Sequence, residues 1–184
     1  LLDAPDNCLA VYADEALRMA GVVNVALRPD LNLDLLLANP ASFSRHWMYR
    51  REALVQLCGF DETCGGAFEL AYQLRLISEQ GGQSVGHVSE PLLIANEPRP
   101  SDCADERAVI DAHLQARGYV QGQAIALDMQ PGGYRIDYGH ERQASVSIVI
   151  YLEGQLVNFQ RCLESLLIQT SAVSWYSGTP MRLP

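Results

Sequence analysis

The sequence predicts an α/β protein. Three observations lead there. Short β-branched or apolar runs alternate with longer stretches at helical spacing, the pattern of mixed strand–helix units rather than of all-helix or all-strand folds. The strongest helical stretch, 68–80, lies between two glycine pairs, Gly65-Gly66 and Gly81-Gly82, which punctuate an element at each end. A fresh strand-then-helix pair then opens at 144, well after a Pro-rich break at 96–102.

In chain order, "CLAVYA" (8–13) is a short apolar run before acids and predicts a buried strand ending at Asp14. "VVNVAL" (22–27) is β-branched and predicts a second strand. "LNLDLLLA" (31–38) predicts a short helix stopped by Asn39-Pro40, and "SFSRHWMY" (42–49) a strand with aromatic content. "REALVQLC" (51–58) predicts a helix with Gly59 in the glycine position past its end. "FELAYQLRLISEQ" (68–80) is the next helix, and "SVGHV" and "PLLIA" are two short strands. "NEPRPSD" (96–102) predicts a linker. "ADERAVIDAHLQARG" (104–118) predicts an exposed helix, with acids at its start and Arg117-Gly118 at its end. A hairpin with a Pro-Gly-Gly turn follows at 123–138, then a buried strand in "ASVSIVIYL" (144–152) and a helix over 156–169. The expected organisation is a unit at 1–102, a connector at 103–143 and the start of a second unit at 144–184, in a packing unit of its own.

Composition narrows the function. The 184 residues carry a formal net charge of -9, and every one of the 13 basic residues is arginine. No basic cluster exceeds Arg50-Arg51, so a nucleic-acid partner is not expected. No apolar run reaches the length of a membrane span. The start, "LLDAPDNCLAVYADEA", lacks both a cationic leader and an initiator Met; the expectation is a fragment or a trimmed product. Five scattered cysteines form no CxxC pair and no zinc-like spacing with histidine, which predicts reduced thiols and a cytoplasmic location.

Six segments, in this order, resemble the family 2 glycosyltransferases of the GT-A fold. They are "VYADEA" (11–16), "LRPDLNLDLLLANP" (27–40), "MYRREALVQLCGFDE" (48–62), "GAFELAYQLRL" (66–76), "VSEPLLIANEP" (88–98) and "SVSIVIYLEG … FQRCLESLLIQT" (145–170). The nearest likeness is to large bacterial members that join two such domains to build surface polysaccharides. The resemblance implies the C-terminal half of a GT-A (Rossmann-like) glycosyltransferase domain, a connector, and the opening strand and helix of a second unit. It implies transfer of a sugar from a nucleotide-sugar donor to a glycan acceptor, with peripheral membrane association through partner proteins. In the complete enzyme it implies Mn2+ or Mg2+; no metal is expected at the residues of this chain. Asp3 and Asp6 in "LLDAPD" stand too close to Tyr12 to match the family's metal-binding Asp-x-Asp, and weak or absent binding of UDP-sugars and divalent metal follows.

Glu69 matches the family's catalytic aspartate, six residues before Arg75. The resemblance makes it the base that takes the acceptor's proton and places its side chain in a cleft shared with the loop after "VYADEA". A first-turn glutamate is also favoured by the helix macrodipole alone, so both readings stand at this level. Asp14, Glu15 and Arg75 are the expected substrate-binding residues; the two acids follow a strand that should end at the mouth of the sheet, where open α/β sheets bind ligands. His46, His87, His113 and His140 do not replace the family's lost histidine by spacing. Departures from the family fall at Ala16, Ala71 and Ala95-Asn96. The second reading is therefore a catalytically inactive transferase-like module that binds glycan or orders a partner domain.

Overall fold

The computed structural model describes residue 5, residues 7–96 and 104–139, residues 148 and 150, and residues 156–169. It is a mixed α/β structure. The chain divides into two compact units, 1–142 and 143–184.

The first unit is built on β1 (Ala10–Met19), the central strand of a four-stranded sheet. β4 (Val85–Asn96) runs parallel along one side of it. On the other side two antiparallel strands share its length. β3 (Trp47–Tyr49) pairs with residues 10–12, and β2 (Val22–Ala26) with residues 15–19. At Tyr12 the three strands align Trp47, Tyr12 and His87 in register. Their rings stack, Tyr12 lying 4.7 Å from Trp47 and 4.7 Å from His87. Cross-strand aromatic pairs of this kind fix register as well as burying area.

β1 departs from its expected form. It runs on through Asp14 and Glu15 to Met19 instead of ending at Asp14. The two short strands expected at 84–95 are one strand, β4, whose register against β1 shifts on both sides of Asp14. Pro91 sits opposite Asp14. Proline cannot donate to a ladder, so a bulge is where a strand tolerates it. The expected strand at 42–49 shortens to β3 because the segment before it is a 3-10 turn at Pro40–Ser42 and a loop whose polar groups bond to side chains.

The helices lie where the sequence pattern places them, but the one expected to be exposed over 104–118 buries Val109, Ile110, His113 and Leu114. α1 is Leu33–Ala38, capped by the Asn32 side chain on the Leu35 N–H at 3.0 Å. α2 is Arg51–Gln56, closed by a Gly59 N–H to Leu54 carbonyl bond of 2.7 Å. α3 is Phe68–Gln80. It is buried on two stripes. Leu70, Leu74 and Ile77 join Tyr12 and the next helix, while Tyr72 and Leu76 join Ala10 and Leu57. Such a helix is the axle of the core, and each fully buried aliphatic side chain contributes about 1.5–3 kcal/mol.

α4 (Ala104–Ala116) and the hairpin β5 (Gln123–Ala126) and β6 (Tyr134–Asp137) belong to this unit. Val109, Ile110, Leu114, Ala124 and Tyr134 enter the same core as α3. The acids of α4 tie it down. Asp105 accepts from the Gly66 N–H at 2.8 Å, Asp111 from the Ala124 N–H at 2.6 Å, and Glu106 from the Tyr134 hydroxyl at 2.7 Å. In the second unit α5 (Leu156–Gln169) carries half-buried Phe159, Leu163 and Leu166 on one stripe. The linker at 97–102 and most of the strand expected over 144–152 lie outside the described residues, as do Asp3, Asp6 and His140.

Candidate functional site

Among the described residues, the acids of "VYADEA" are the most buried charges. Asp14 and Glu15 each expose 2% of their surface. Consecutive strand residues project to opposite sides, yet both acids find Arg28, just beyond β2. The Arg28 backbone N–H donates to Asp14 at 2.7 Å. Its guanidinium forks onto Glu15 Oε2 at 3.1 and 2.5 Å and also reaches the Ser42 carbonyl at 3.3 Å. Glu15 Oε1 accepts from the Ser44 hydroxyl and meets His46 Nδ1, both at 2.7 Å. Asp14 meets His87 Nε2 at 3.0 Å, and the other ring nitrogen of His87 meets Asp30 at 2.8 Å. The Tyr12 hydroxyl closes the loop from beneath, donating to the Pro29 carbonyl at 2.6 Å.

These contacts set the protonation states. The Arg28 N–H lowers the Asp14 pKa, against the opposing effect of burial and with help from His87. Burial works against a charged Glu15, but the bonds from His46, Ser44 and Arg28 outweigh it and its pKa also lies below the ordinary value. Both groups are thus favoured as carboxylates, with donors on Asp14 Oδ1 and on both oxygens of Glu15. They strap residues 28–30 and 42–46 onto the sheet.

Glu69 is different. It lies in the first turn of α3, half-buried, and burial raises its pKa; the charges of Arg45 and His46 pull the other way. No hydrogen bond to its side chain is described, so its lone pairs are not committed as those of Glu15 are. It lies within electrostatic range of Tyr49, whose hydroxyl burial also pushes up. His46 therefore connects the two acids, bonded to Glu15 through Nδ1 and electrostatically facing Glu69. The loop expected to follow "VYADEA" near Glu69 is strand, and the segment that takes its place is 44–46.

Arg75 takes no part in this network. Its guanidinium donates to the Gly59 carbonyl and lies 5.5 Å from the Tyr72 ring centre. It pins the "GFDE" loop to α3. That loop is further set by Asp61, which accepts from the Thr63 N–H at 2.9 Å and hydroxyl at 2.6 Å.

Sequence reasoning singled out Glu69 as catalytic and Asp14, Glu15 and Arg75 as substrate-binding; it did not single out Arg28, Ser44, His46 and His87, which the structure joins to Asp14 and Glu15 as a network. The Arg-Pro-Asp run and the alternation Ser44-x-His46 carry no distinctive spacing, since their partners are brought in by sheet pairing. Among the described residues no group of three metal-type ligands converges. Among the described residues no helix is long and apolar enough to cross a membrane.

The site thus belongs to a mixed α/β unit with two buried, donor-bound acids on its central strand and one uncommitted carboxyl at a helix start. Over 154 residues the chain is 30% identical to the O-antigen biosynthesis protein RfbC of Myxococcus xanthus. The match covers 78% of this chain, which spans 12% of that relative's length. No protein-family model matches the chain, and no solved structure does.

Proposed function

We propose that this chain is part of a nucleotide-sugar-dependent glycosyltransferase of bacterial surface polysaccharide synthesis, with Glu69 as the base. The single observation that carries the reading is the state of Glu69: a half-buried carboxyl with a raised pKa and no described hydrogen-bond donor, at the start of the central helix. A higher pKa makes a stronger base, and a carboxyl tuned upward accepts a proton more readily at neutral pH. In this reading the acceptor hydroxyl gives its proton to Glu69, the acceptor oxygen bonds to the sugar's anomeric carbon, and the bond to the departing diphosphate breaks. Similarity to a protein named for O-antigen biosynthesis supports the polysaccharide context. Mn2+ or Mg2+ and the donor diphosphate would be held in the complete enzyme by residues other than those described, with Arg75 positioning the loop beside the acceptor. The engagement of Asp14 and Glu15 by this chain's own donors favours a second reading, a module that holds a glycan without turning it over.

The test is sugar transfer by the full protein that carries this chain, measured as donor diphosphate release with glycan acceptor present. Glu69→Gln keeps the shape, removes the base, and should lower turnover by about 10²-fold or more. Unchanged turnover in that variant rules Glu69 out as the base and leaves the glycan-holding module.

A further inference from the structure

At the far end of α3 from Glu69 the surface forms a cleft of about 330 Å³. Leu31 and Leu33 line it from the start of α1, Ile77 and Ser78 from the last turn of α3, Gly82 from the turn beyond, and Arg117 from just past α4. All six belong to the first unit. Glu69 opens α3 and Ser78 nears its end, about 13 Å apart along the axis at 1.5 Å per residue. The cleft is therefore a separate place from the candidate base. Its volume lies at the small end of the range for ligand pockets.

The lining divides by chemistry. Leu31, Leu33 and Ile77 supply hydrocarbon, with Ile77 buried and the two leucines half-buried. Ser78 and Arg117 are exposed. Both can donate hydrogen bonds, and the guanidinium can do nothing else. No carboxylate lines the cleft. Behind Ser78 lies His113, its Nδ1 3.4 Å from the hydroxyl oxygen. Burial and the charge of Arg117 push the His113 pKa down, so this imidazole is neutral at pH 7 and adds no charge of its own. The other well-placed arginines of the unit are committed to the fold, Arg28 to Glu15 and Arg75 to the Gly59 carbonyl. The Arg117 side chain has no hydrogen bond or ion pair among the described residues. Its fork of donors is left for water or a ligand.

We infer that this cleft binds a small monocarboxylate with a hydrocarbon body, the carboxylate on Arg117 and Ser78 and the body against Leu31, Leu33 and Ile77. A guanidinium fork matches a carboxylate through two parallel N–H···O bonds, and an apolar wall with a few polar groups is how small-ligand sites combine affinity with orientation. Charge limits the ligand to one negative group. Arg117 acts electrostatically on Tyr138, whose hydroxyl donates to Asp34 at 3.2 Å, so an acid stands near the cleft although not in its wall. One cation with an acid nearby does not balance a dianion, and a bare inorganic anion would leave the apolar wall unused. The inference rests on neither reading of Glu69.

Amide NMR of this chain tests it, titrated separately with benzoate, cyclohexanecarboxylate, benzamide and inorganic phosphate. Both carboxylates should give saturable shifts centred on Leu33, Ile77, Ser78 and Gly82. Benzamide keeps the body and loses the charge, and should bind about tenfold more weakly, the scale of one charge-assisted hydrogen bond. Phosphate should give no saturable shift there. Arg117→Met keeps the stem and removes the fork, and should weaken benzoate about tenfold while leaving benzamide where it was. Circular dichroism checks that the variant is folded, as the exposure of Arg117 predicts. Should it not fold, Ser78→Leu, which fills the cleft from an exposed helix position, should abolish the benzoate shifts. The benzoate-to-benzamide ratio in the parent chain decides independently of either variant. Absence of saturable shifts with both carboxylates, equal affinity for benzoate and benzamide, phosphate bound as tightly as benzoate, or undiminished benzoate binding in a folded variant would each overturn the site.

Discussion

Arg28→Met is the perturbation that best tests how the acids of β1 work. Arg28 and Glu15 are a buried pair, their side chains exposed by 9% and 2%. Methionine keeps the length of the stem and removes the fork. Glu15 would then retain only Ser44 and His46, while the backbone N–H that Asp14 depends on is untouched. Breaking a buried pair by removing one partner typically costs about 3–5 kcal/mol, because the remaining charge is left desolvated. For a unit of this size each kcal/mol lowers the melting temperature by roughly 2–4 °C, so a fall of roughly 6–20 °C is expected. The carbonyl of Ser42 loses its donor too, which places the effect toward the upper part of that span. The assay is urea and thermal unfolding followed by tryptophan fluorescence, since Trp47 stacks in the same sheet. Arg28→Met/Glu15→Leu removes both charges and should recover much of the loss, as buried pairs replaced together often do. A cost below about 1 kcal/mol for Arg28→Met would be that of an exposed pair and would refute the view that Arg28 neutralises a buried carboxylate. So would a double variant no better than the single one.

Acid should loosen the first unit in a defined direction. The folded pKa values of Asp14 and Glu15 are depressed, so their stabilisation is present above the unfolded values of about 3.9 and 4.3 and is lost as pH falls toward the folded values. Unfolding free energy measured against pH should decline below about pH 4, and Arg28→Met should flatten that decline. Glu69 carries the opposite sign: its raised pKa favours the protonated folded form, so its ionisation works against folding as pH rises. Glu69→Gln should therefore unfold at a urea concentration equal to or above that of the parent at pH 7, whatever it does to turnover. Gly65→Ala should destabilise by roughly 1–3 kcal/mol, read by the same urea titration, because Gly65 sits at φ 54, ψ -129 and an added Cβ would lie 2.4 Å from the Asp105 carboxylate.

How much of this was legible in the sequence depends on range. α3 carried its own boundaries, and β2, α1, α4 and the 123–138 hairpin were marked by local periodicity and turn residues. Local patterns missed what pairing creates. The strand through Asp14 and Glu15 looked finished because two acids interrupt an apolar run; β2 and β4 extend it, and Arg28 makes the acids tolerable inside it. Pro91 looked like a break between strands but marks a bulge within one. The stretch at 103–143, expected as a connector, has Val109, Ile110, Leu114, Ala124 and Tyr134 in the α3 core. The site was half legible for the same reason. Acids announce themselves by type, whereas Ser44, His46 and His87 become a network only when the sheet assembles.

The contrast among the three acids separates scaffold from chemistry more sharply than their positions do. A carboxylate that is to take a proton needs an available lone pair and a pKa moved toward neutrality. Asp14 and Glu15 are set the other way: donors meet Asp14 Oδ1 and both oxygens of Glu15, and both pKa values are driven down. What they do have is leverage, since the residues they hold, 28–30 and 42–46, include Arg45 and His46, the two residues that act electrostatically on Glu69. Glu15 thus acts on Glu69 at one remove, by fixing where His46 stands. Loss of the Glu15 carboxylate frees His46 and changes the electrostatic setting of Glu69 without touching it. In the variant Glu15→Gln the Glu69 pKa, followed by carboxyl carbon NMR, should therefore move although the two side chains share no bond. An unmoved Glu69 titration would mean that His46 keeps its place without Glu15, and the acids of β1 would then be scaffold alone.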